Sequence, residues 1–151
     1  MDAFLFAATE ADLKALAALE GEWSSEPWSE QAFCDFLKSG HAHIFLKKEK
    51  EEIVAYAAFT ALAGYGELLT FGVASAHRRR GYGKKLLSAV LDYVTEQKVT
   101  DFTLEVRRSN LAARALYESL GAKEVGTRKD FYTAPKEDAL LYTFSRKDTD
   151  R

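Results

Sequence analysis

A cluster of positive charge and glycine lies in the middle of the chain, directly before an apolar helical pattern. Residues 77–85 read HRRRGYGKK, and LLSAVLDYV follows at once. Such a segment can hold an anion, because the start of a helix leaves backbone N–H groups without partners and its dipole favours negative charge. Three interpretations compete for it: a nucleic-acid patch, a phosphate cradle and an ordinary solvated turn.

The spacing of the glycines narrows these interpretations. A Rossmann fingerprint fails because Leu86 stands where its third glycine would be, and a Walker A loop fails because Gly81 and Gly83 are too close together. The glycines let the backbone approach a ligand closely. Charge around them comes from Arg79, Arg80, Lys84 and Lys85. The segment therefore suits a pyrophosphate, and it follows a predicted strand, where a ligand crevice is expected.

The composition of the whole chain limits its function class. The 151 residues carry 21 Lys and Arg against 23 Asp and Glu, a formal charge of −2, which argues against a surface that binds nucleic acid throughout. Length and apolar content predict one domain over residues 1–151. The single cysteine, Cys34, excludes an internal disulfide and a four-cysteine zinc site, and no metal is predicted. No apolar run is long enough to span a membrane and no signal peptide is recognisable, so we expect a cytoplasmic protein without a membrane partner.

The elements that must position the basic cluster follow a mixed order. Apolar and alternating runs predict strands over 4–8, 43–48, 53–60, 67–74, 101–107, 122–128 and 138–145. Helical spacing predicts helices after Thr9, after Ser29, over 82–97 and over 110–119, the last capped by Ser109. A strand, a helix and a strand in the middle imply a parallel pair joined by a crossover helix. We predict an α/β (α+β) fold whose mixed central sheet carries helices on both faces.

The segment from Leu68 to Leu87, LLTFGVASAHRRRGYGKKLL, resembles the acetyl-CoA-binding motif of the GCN5-related N-acetyltransferase (GNAT) family. That motif reads Arg/Gln-x-x-Gly-x-Gly/Ala, and Arg78 to Gly83 match it between a strand and a long helix. The resemblance covers essentially the whole chain. It implies an acyltransferase with acetyl-CoA as co-substrate, held where two parallel strands near residues 70 and 103 splay apart.

The resemblance also implies which residues bind the co-substrate. Backbone groups of Phe71, Gly72 and Val73 would pair with the pantetheine arm. Amides of the following loop would hold the pyrophosphate, at Arg79, Arg80, Gly81, Tyr82, Gly83 and Lys84. Asn110 corresponds to a further residue that contacts the co-substrate.

Four segments resemble one branch of that family, the bacterial enzymes that acetylate the N-terminal alanine of a small-subunit ribosomal protein. They are PWS at 27–29, residues 104–122, RKDFY at 128–132 and EDALLYTF at 137–144. By this resemblance Glu105 is the general base and Tyr117 the general acid. The roles suit the chemistry, because the attacking amine must lose a proton and the leaving thiolate must gain one. A backbone N–H such as that of Val73 would polarise the thioester carbonyl.

Departures from the pattern keep alternatives open for the acceptor. Phe131 stands where a tyrosine is expected and Thr133 where a proline is expected, in a predicted loop over 130–135 that shapes the peptide entrance. The alternative acceptors are a lysine side chain, a polyamine or another small-molecule amine. A module that binds CoA without turnover and a nucleic-acid binder are the competing classes. Glu105 as a plain surface carboxylate and Tyr117 as a packing residue are the competing interpretations of the two catalytic candidates.

Overall fold

The structure is a computed structural model that describes residues 5–145, with side chains described from residue 7 onward. Within that range the strands are β1 Leu5–Ala7, β2 Ala42–Glu49, β3 Glu52–Leu62, β4 Gly64–Val73, β5 Val99–Arg107, β6 Lys123–Thr133 and β7 Lys136–Ser145. The helices are α1 Leu13–Gly21, α2 Glu30–Leu37, α3 Tyr82–Glu96 and α4 Leu111–Ser119. Single 3-10 turns lie at Glu10–Asp12 and Ser75–His77. The predicted order of strands and helices is confirmed; residue 4 of the first predicted strand lies outside the described residues.

The strands form one sheet in the order β1-β2-β3-β4-β5-β7-β6. Only β4 and β5 pair in parallel among the described strands, and α3 is the crossover helix between them. Every other neighbouring pair is antiparallel. The predicted mixed sheet with one central parallel pair is therefore confirmed.

Two apolar cores lie on opposite faces of this sheet. Ala57 and Phe59 of β3 belong to the core that α3 covers, whereas Tyr56 and Ala58 belong to the core that α1 and α2 cover. A strand buried on both faces carries apolar residues at consecutive positions, because neither face of it meets water. This explains the continuous apolar run IVAYAAF and confirms the helices on both faces.

The helix starts follow local sequence, with one correction. Ser29 caps α2 as predicted, since its Oγ accepts a hydrogen bond from the Ala32 backbone N–H at 3.0 Å. The predicted cap of α4 at Ser109 is wrong: Asn110 is the cap, and its Oδ1 accepts from the Ala113 N–H at 3.2 Å. Both residue types cap well. The Ser109 backbone N–H donates to Glu137 Oε2 on β7 at 2.6 Å, and the helix begins one residue later than predicted.

The end of the chain also departs from the predicted loop. Residues 130–133 belong to β6, which runs to Thr133 and turns directly into β7 at Lys136. The register between the two strands shifts between Arg128 and Tyr132. The region predicted as a loop over 130–135 is therefore the end of a β-hairpin, whose paired backbone gives it a defined position beside the sheet.

Candidate active site

A gap opens in the sheet where β4 and β5 diverge. Their parallel pairing ends at Leu68 opposite Leu104. Beyond that point β4 continues beside β3, and β5 continues beside β7. The register between β3 and β4 skips Leu69, so β4 has one extra residue there. Such a bulge bends the strand that carries it, and here β4 bends away from β5 while it stays paired with β3. The predicted splay is thus present, and its cause is a bulge at the residue where pairing stops.

The basic start of α3 lies at the carboxyl end of β4, beside this gap. A Cβ added to Gly83 would come within 3.3 Å of Phe71 Cζ and 3.4 Å of Val73 Cγ2, so the first turn of α3 packs directly on β4. Gly81 caps the helix with a left-handed φ of 80°, and Arg79 has a φ of 66°. The side chains of the loop are exposed at Arg79, Arg80 and Lys84. The predicted phosphate cradle therefore has the expected placement, while its binding of an anion stays a prediction.

Two side chains of the motif contact the protein itself. Arg78 Nε donates to the carbonyl of Val73 at 3.1 Å and so ties the loop to the end of β4. The Tyr82 hydroxyl donates to Glu49 Oε2 at the end of β2, and this hydrogen bond raises the pKa of Tyr82. A contact between Tyr82 and a co-substrate would accordingly use its backbone.

Glu105 lies on β5 just past the last paired residue of the parallel ladder. Its Oε2 is 2.6 Å from Arg128 Nε, and its side chain is 21% exposed. Burial, and then the charge of Glu105, raises the pKa of Glu67 on the neighbouring strand. The acidic pair of Glu105 and Glu67 and the ion pair with Arg128 were not recognised in the sequence, because they join strands that are distant along the chain.

Tyr117 projects from α4 into the core. It is 7% exposed, and its ring centroid lies 6.3 Å from those of both Phe71 and Tyr142. Burial raises the pKa of Tyr117, and the neighbouring Tyr132 adds to this shift. The pKa of Tyr132 is in turn raised by burial and by the charge of Glu105. Tyr132 on β6 is therefore the group that lies electrostatically close to both catalytic candidates, and its side chain was not singled out from the sequence.

Asn110 has a structural role in addition to its predicted one. Its side-chain oxygen caps α4, and the residue is exposed at the end of the turn that follows β5. This placement brings the start of α4 next to the carboxyl end of β5. The contact of Asn110 with a co-substrate stays a prediction.

The segment between α1 and α2 reaches the same region from the other face. Glu20 is 1% exposed and accepts hydrogen bonds from the Tyr56 hydroxyl (2.7 Å), the Thr70 hydroxyl (2.6 Å) and the Trp28 N–H (2.8 Å). Trp23 Nε1 donates to the Tyr56 oxygen at 2.7 Å. This buried network fastens the segment to β3 and β4. The sequence did not reveal it, since Glu20 reads there as one more polar residue at the end of a helix.

Trp28 packs against α2. Its ring centroid lies 5.0 Å from that of Phe33 and 5.3 Å from that of Phe36. Cys34 packs, partly buried, against the same core. Neither residue belongs to the gap between β4 and β5.

The sequence profile of the Acetyltransferase (GNAT) family matches residues 11–122, a span that contains the gap, the basic start of α3, Glu105 and Tyr117. The chain belongs to this family and is an acyltransferase. Its fold and the resemblance seen in its motifs are thereby confirmed.

Among similar proteins, the N-alpha-acetyltransferase RimI of Mycobacterium tuberculosis is 36% identical over 150 residues, covering 95% of this chain and 92% of the relative. The ribosomal protein bS18-alanine N-acetyltransferase of Escherichia coli is 33% identical over 133 residues, covering 86% of this chain and 88% of the relative. The crystal structure of the Escherichia coli ribosomal-protein-S18-alanine N-acetyltransferase superposes with a TM-score of 0.86 at 30% identity, covering 93% of this chain and 92% of that one. These relatives make this chain an N-acetyltransferase.

Within residues 5–145, no group of three or more His, Cys, Asp or Glu side chains is arranged to hold a metal ion. No helix in that range is long and apolar enough to cross a membrane.

Proposed function

We propose that this chain transfers the acetyl group of acetyl-CoA to the N-terminal α-amine of a protein, with the N-terminal alanine of a small-subunit ribosomal protein as its acceptor. We further propose that residues 1–151 act as one catalytic domain. The relatives named above support the acceptor. The observation that carries the proposal is the gap between β4 and β5, with the basic start of α3 at its edge and the carboxylate of Glu105 beside it.

The co-substrate would lie along β4 and over the start of α3. Phe71, Gly72 and Val73 offer backbone groups on the side of β4 that β5 has left. The loop from Arg79 to Lys84 offers amides at a helix start together with exposed positive charge, which suits a pyrophosphate. Asn110, across the gap, would contact the same molecule.

The acceptor amine would attack the thioester carbonyl directly. Its nitrogen forms the new C–N bond while the proton that it loses passes to Glu105, directly or through a water molecule. An N–H such as that of Val73 would stabilise the negative charge that develops on the carbonyl oxygen. The C–S bond then breaks, and the thiolate takes its proton from the hydroxyl of Tyr117. Burial raises the pKa of Tyr117, so its hydroxyl stays protonated until the thiolate forms.

The ion pair between Glu105 and Arg128 sets a condition on this mechanism. The guanidinium of Arg128 occupies Oε2 of Glu105, so that oxygen can accept the proton only after Arg128 has moved away. The side chain of Arg128 is 59% exposed, so few packing contacts oppose its movement. An acceptor arrives as an ammonium ion for part of the time, since the pKa of an α-amine is about 7.7–8.0. That cation would take the place of the guanidinium beside Glu105.

One observation favours a second acceptor. Phe131 at the end of the hairpin is exposed at a position where the pattern of the related enzymes has a tyrosine. The peptide entrance of this chain would therefore differ from theirs in shape and polarity. A lysine side chain or a small-molecule amine is the alternative that this difference supports.

The test measures CoA release from acetyl-CoA together with mass spectrometry of the products. One acceptor is an Arg-rich peptide that begins with alanine, and its matched control has a blocked N-terminus and one lysine. We expect acetylation of the free N-terminus only. Acetylation of the lysine in the control peptide would replace the proposed acceptor with a side-chain amine. Acetylation of neither peptide would contradict the peptide acceptor and favour small amines.

A further inference from the structure

Arg107 ends β5 two residues beyond Glu105, and its guanidinium joins two segments that are far apart in the chain. Nη1 donates to the carbonyl of Pro135 at 2.8 Å, and Nη2 donates to the carbonyl of Ala134 at 3.1 Å, both in the turn between β6 and β7. Nη2 also donates to Ser25 Oγ at 3.0 Å, in the segment between α1 and α2. The side chain is mostly buried by these contacts.

Two further contacts connect Arg107 with the candidate catalytic groups. Its guanidinium carbon lies 4.3 Å from the ring centroid of Tyr132, the residue electrostatically close to Glu105 and Tyr117. Nη1 is 3.2 Å from Glu137 Oε1. The other oxygen of that carboxylate accepts the Ser109 N–H, just before α4 begins.

These contacts need an arginine. A planar guanidinium can donate from two nitrogens to several acceptors and stack on an aromatic ring at the same time, whereas an ammonium is a single point charge. Carbonyls in a turn have no ladder partner, so donors from Arg107 satisfy acceptors that would otherwise require water. A second hydrogen bond joins the α1–α2 segment to the end of β6, since Thr133 Oγ1 donates to Glu26 Oε2 at 2.9 Å.

We propose that Arg107 is a positioning residue that holds the α1–α2 segment and the β6–β7 turn together and so sets the affinity for the acceptor. This inference rests on the proposed function, because it takes the β6–β7 turn, which by resemblance shapes the peptide entrance, and the α1–α2 segment tied to that turn as the two sides of the entrance. The guanidinium of Arg107 donates to Ser25, Ala134, Pro135 and Glu137, none of which is predicted to hold acetyl-CoA. Its backbone carbonyl accepts the Asn110 N–H at 3.0 Å, and every side-chain substitution at Arg107 keeps that carbonyl. The acceptor KM should therefore depend on Arg107, and the acetyl-CoA KM should not.

The experiment compares Arg107→Met and Arg107→Lys with the wild-type enzyme. Arg108→Met is the matched control, because Arg108 is the next residue and is more exposed, with one ion-pair contact at 3.5 Å to Asp138. Steady-state kinetics use whichever of the peptides above the wild-type enzyme acetylates. Hydrogen–deuterium exchange of residues 22–29 and 132–136 is measured on the same proteins without substrate.

For Arg107→Met we expect the acceptor KM to rise about tenfold or more, with the acetyl-CoA KM within about twofold of wild type, since small displacements of positioning groups have effects of this size. Arg107→Lys should fall between wild type and Arg107→Met. Exchange should increase in both segments together for Arg107→Met, and Arg108→Met should change neither measurement.

Three results would overturn the inference: an unchanged acceptor KM, an equal rise in both KM values, or faster exchange in only one of the two segments. If the wild-type enzyme acetylates neither peptide, the proposed acceptor fails. The exchange measurement then decides by itself whether Arg107 couples the segments, so the two failures remain distinguishable.

Discussion

Glu105 and Tyr117 occupy opposite environments, although both are assigned to proton transfer. Glu105 is half-buried on a strand and pairs with a largely exposed guanidinium. Tyr117 lies in an apolar core between Phe71 and Tyr142, where burial disfavours the charged form and raises its pKa. At its start the proposed reaction needs a base without its proton, the Glu105 carboxylate, and an acid with its proton, the Tyr117 hydroxyl.

Replacing Glu105 with glutamine tests the base. We expect Glu105→Gln to lower kcat by about a hundredfold or more, because general-base catalysis contributes at least that much in typical enzymes. Affinity for CoA, measured by calorimetry, should stay within about twofold of wild type, since the predicted binding residues lie elsewhere. Asp101→Asn, near the other end of β5, is the control and should keep full activity. Wild-type turnover in Glu105→Gln would leave Glu105 as a surface carboxylate.

Replacing Tyr117 with phenylalanine tests the acid and separates it from packing. Phenylalanine keeps the ring contacts, so stability should change little while kcat falls by about a hundredfold. Tyr93→Phe is the control, because Tyr93 contacts His43 and Phe45 on β2 and is remote from the gap. Wild-type kcat in Tyr117→Phe would assign Tyr117 to packing alone.

The raised pKa of Tyr117 also predicts a pH profile. The hydroxyl is the active form of an acid, and a pKa raised above its ordinary value of about 10 keeps it protonated across the neutral and mildly alkaline range. The rate should therefore show no loss from Tyr117 up to about pH 10. An alkaline limb below that pH that disappears in Tyr117→Phe would contradict the raised pKa of Tyr117.

At the scale of elements, the start of α3 depends on a backbone conformation that few residues adopt. Gly81 caps the helix in the left-handed region, and a Cβ there would meet no atom within 4 Å. Any cost of a substitution at this position is therefore conformational strain in the loop and not a steric clash. The loop is also where the amides that are proposed to hold the pyrophosphate converge.

Substituting Gly81 with valine tests whether that loop geometry serves binding. We expect Gly81→Val to lose about 1–2 kcal/mol of stability, the cost of a left-handed non-glycine residue, and to weaken CoA binding. Gly40→Val is a close match, because Gly40 also has a left-handed φ (84°) and open space around it, but lies between α2 and β2. It should lose similar stability in thermal unfolding and keep its CoA affinity. Equal CoA affinity in both variants would mean that the loop conformation at Gly81 does not contribute to CoA binding.

At the scale of the whole molecule, the buried carboxylate of Glu20 on α1 joins the central sheet to the segment between α1 and α2. It accepts hydrogen bonds from the hydroxyls of Tyr56 on β3 and Thr70 on β4, and from the backbone N–H of Trp28 in that segment. Close packing surrounds the network, since a Cβ on Gly72 would lie 2.6 Å from Trp23 Nε1. A buried charge is tolerated only when it is hydrogen-bonded in this way.

Removing this carboxylate should destabilise the whole chain. Glu20→Ala leaves the Tyr56 hydroxyl, the Thr70 hydroxyl and the Trp28 N–H without their acceptor, and we expect a loss of about 2–4 kcal/mol in the free energy of unfolding. Glu22→Ala is the control, because Glu22 is exposed just after the same helix and should change stability by about 0.5 kcal/mol or less. Denaturant unfolding measures both. A loss as small as that of Glu22→Ala would mean that water replaces the carboxylate.

Local patterns in the sequence were sufficient to predict the strands, the helices and the family motif. The period of the apolar residues predicted each strand and helix within residues 5–145, and the Arg78–Gly83 hexapeptide predicted the family and the basic start of α3. These features follow from residues that are close in sequence, because helix periodicity, capping and a glycine-rich turn are each determined within a few positions.

Contacts between distant residues were decided only by the tertiary structure. The α4 cap is Asn110 and not Ser109, whose N–H donates to a carboxylate from β7. Arg128 became the partner of Glu105, and Arg107 the link between the α1–α2 segment and the β6–β7 turn, because sheet order brings β5, β6 and β7 side by side. No local pattern encodes such pairings, since any exposed arginine or glutamate reads alike in sequence and only the packed sheet selects which of them meet.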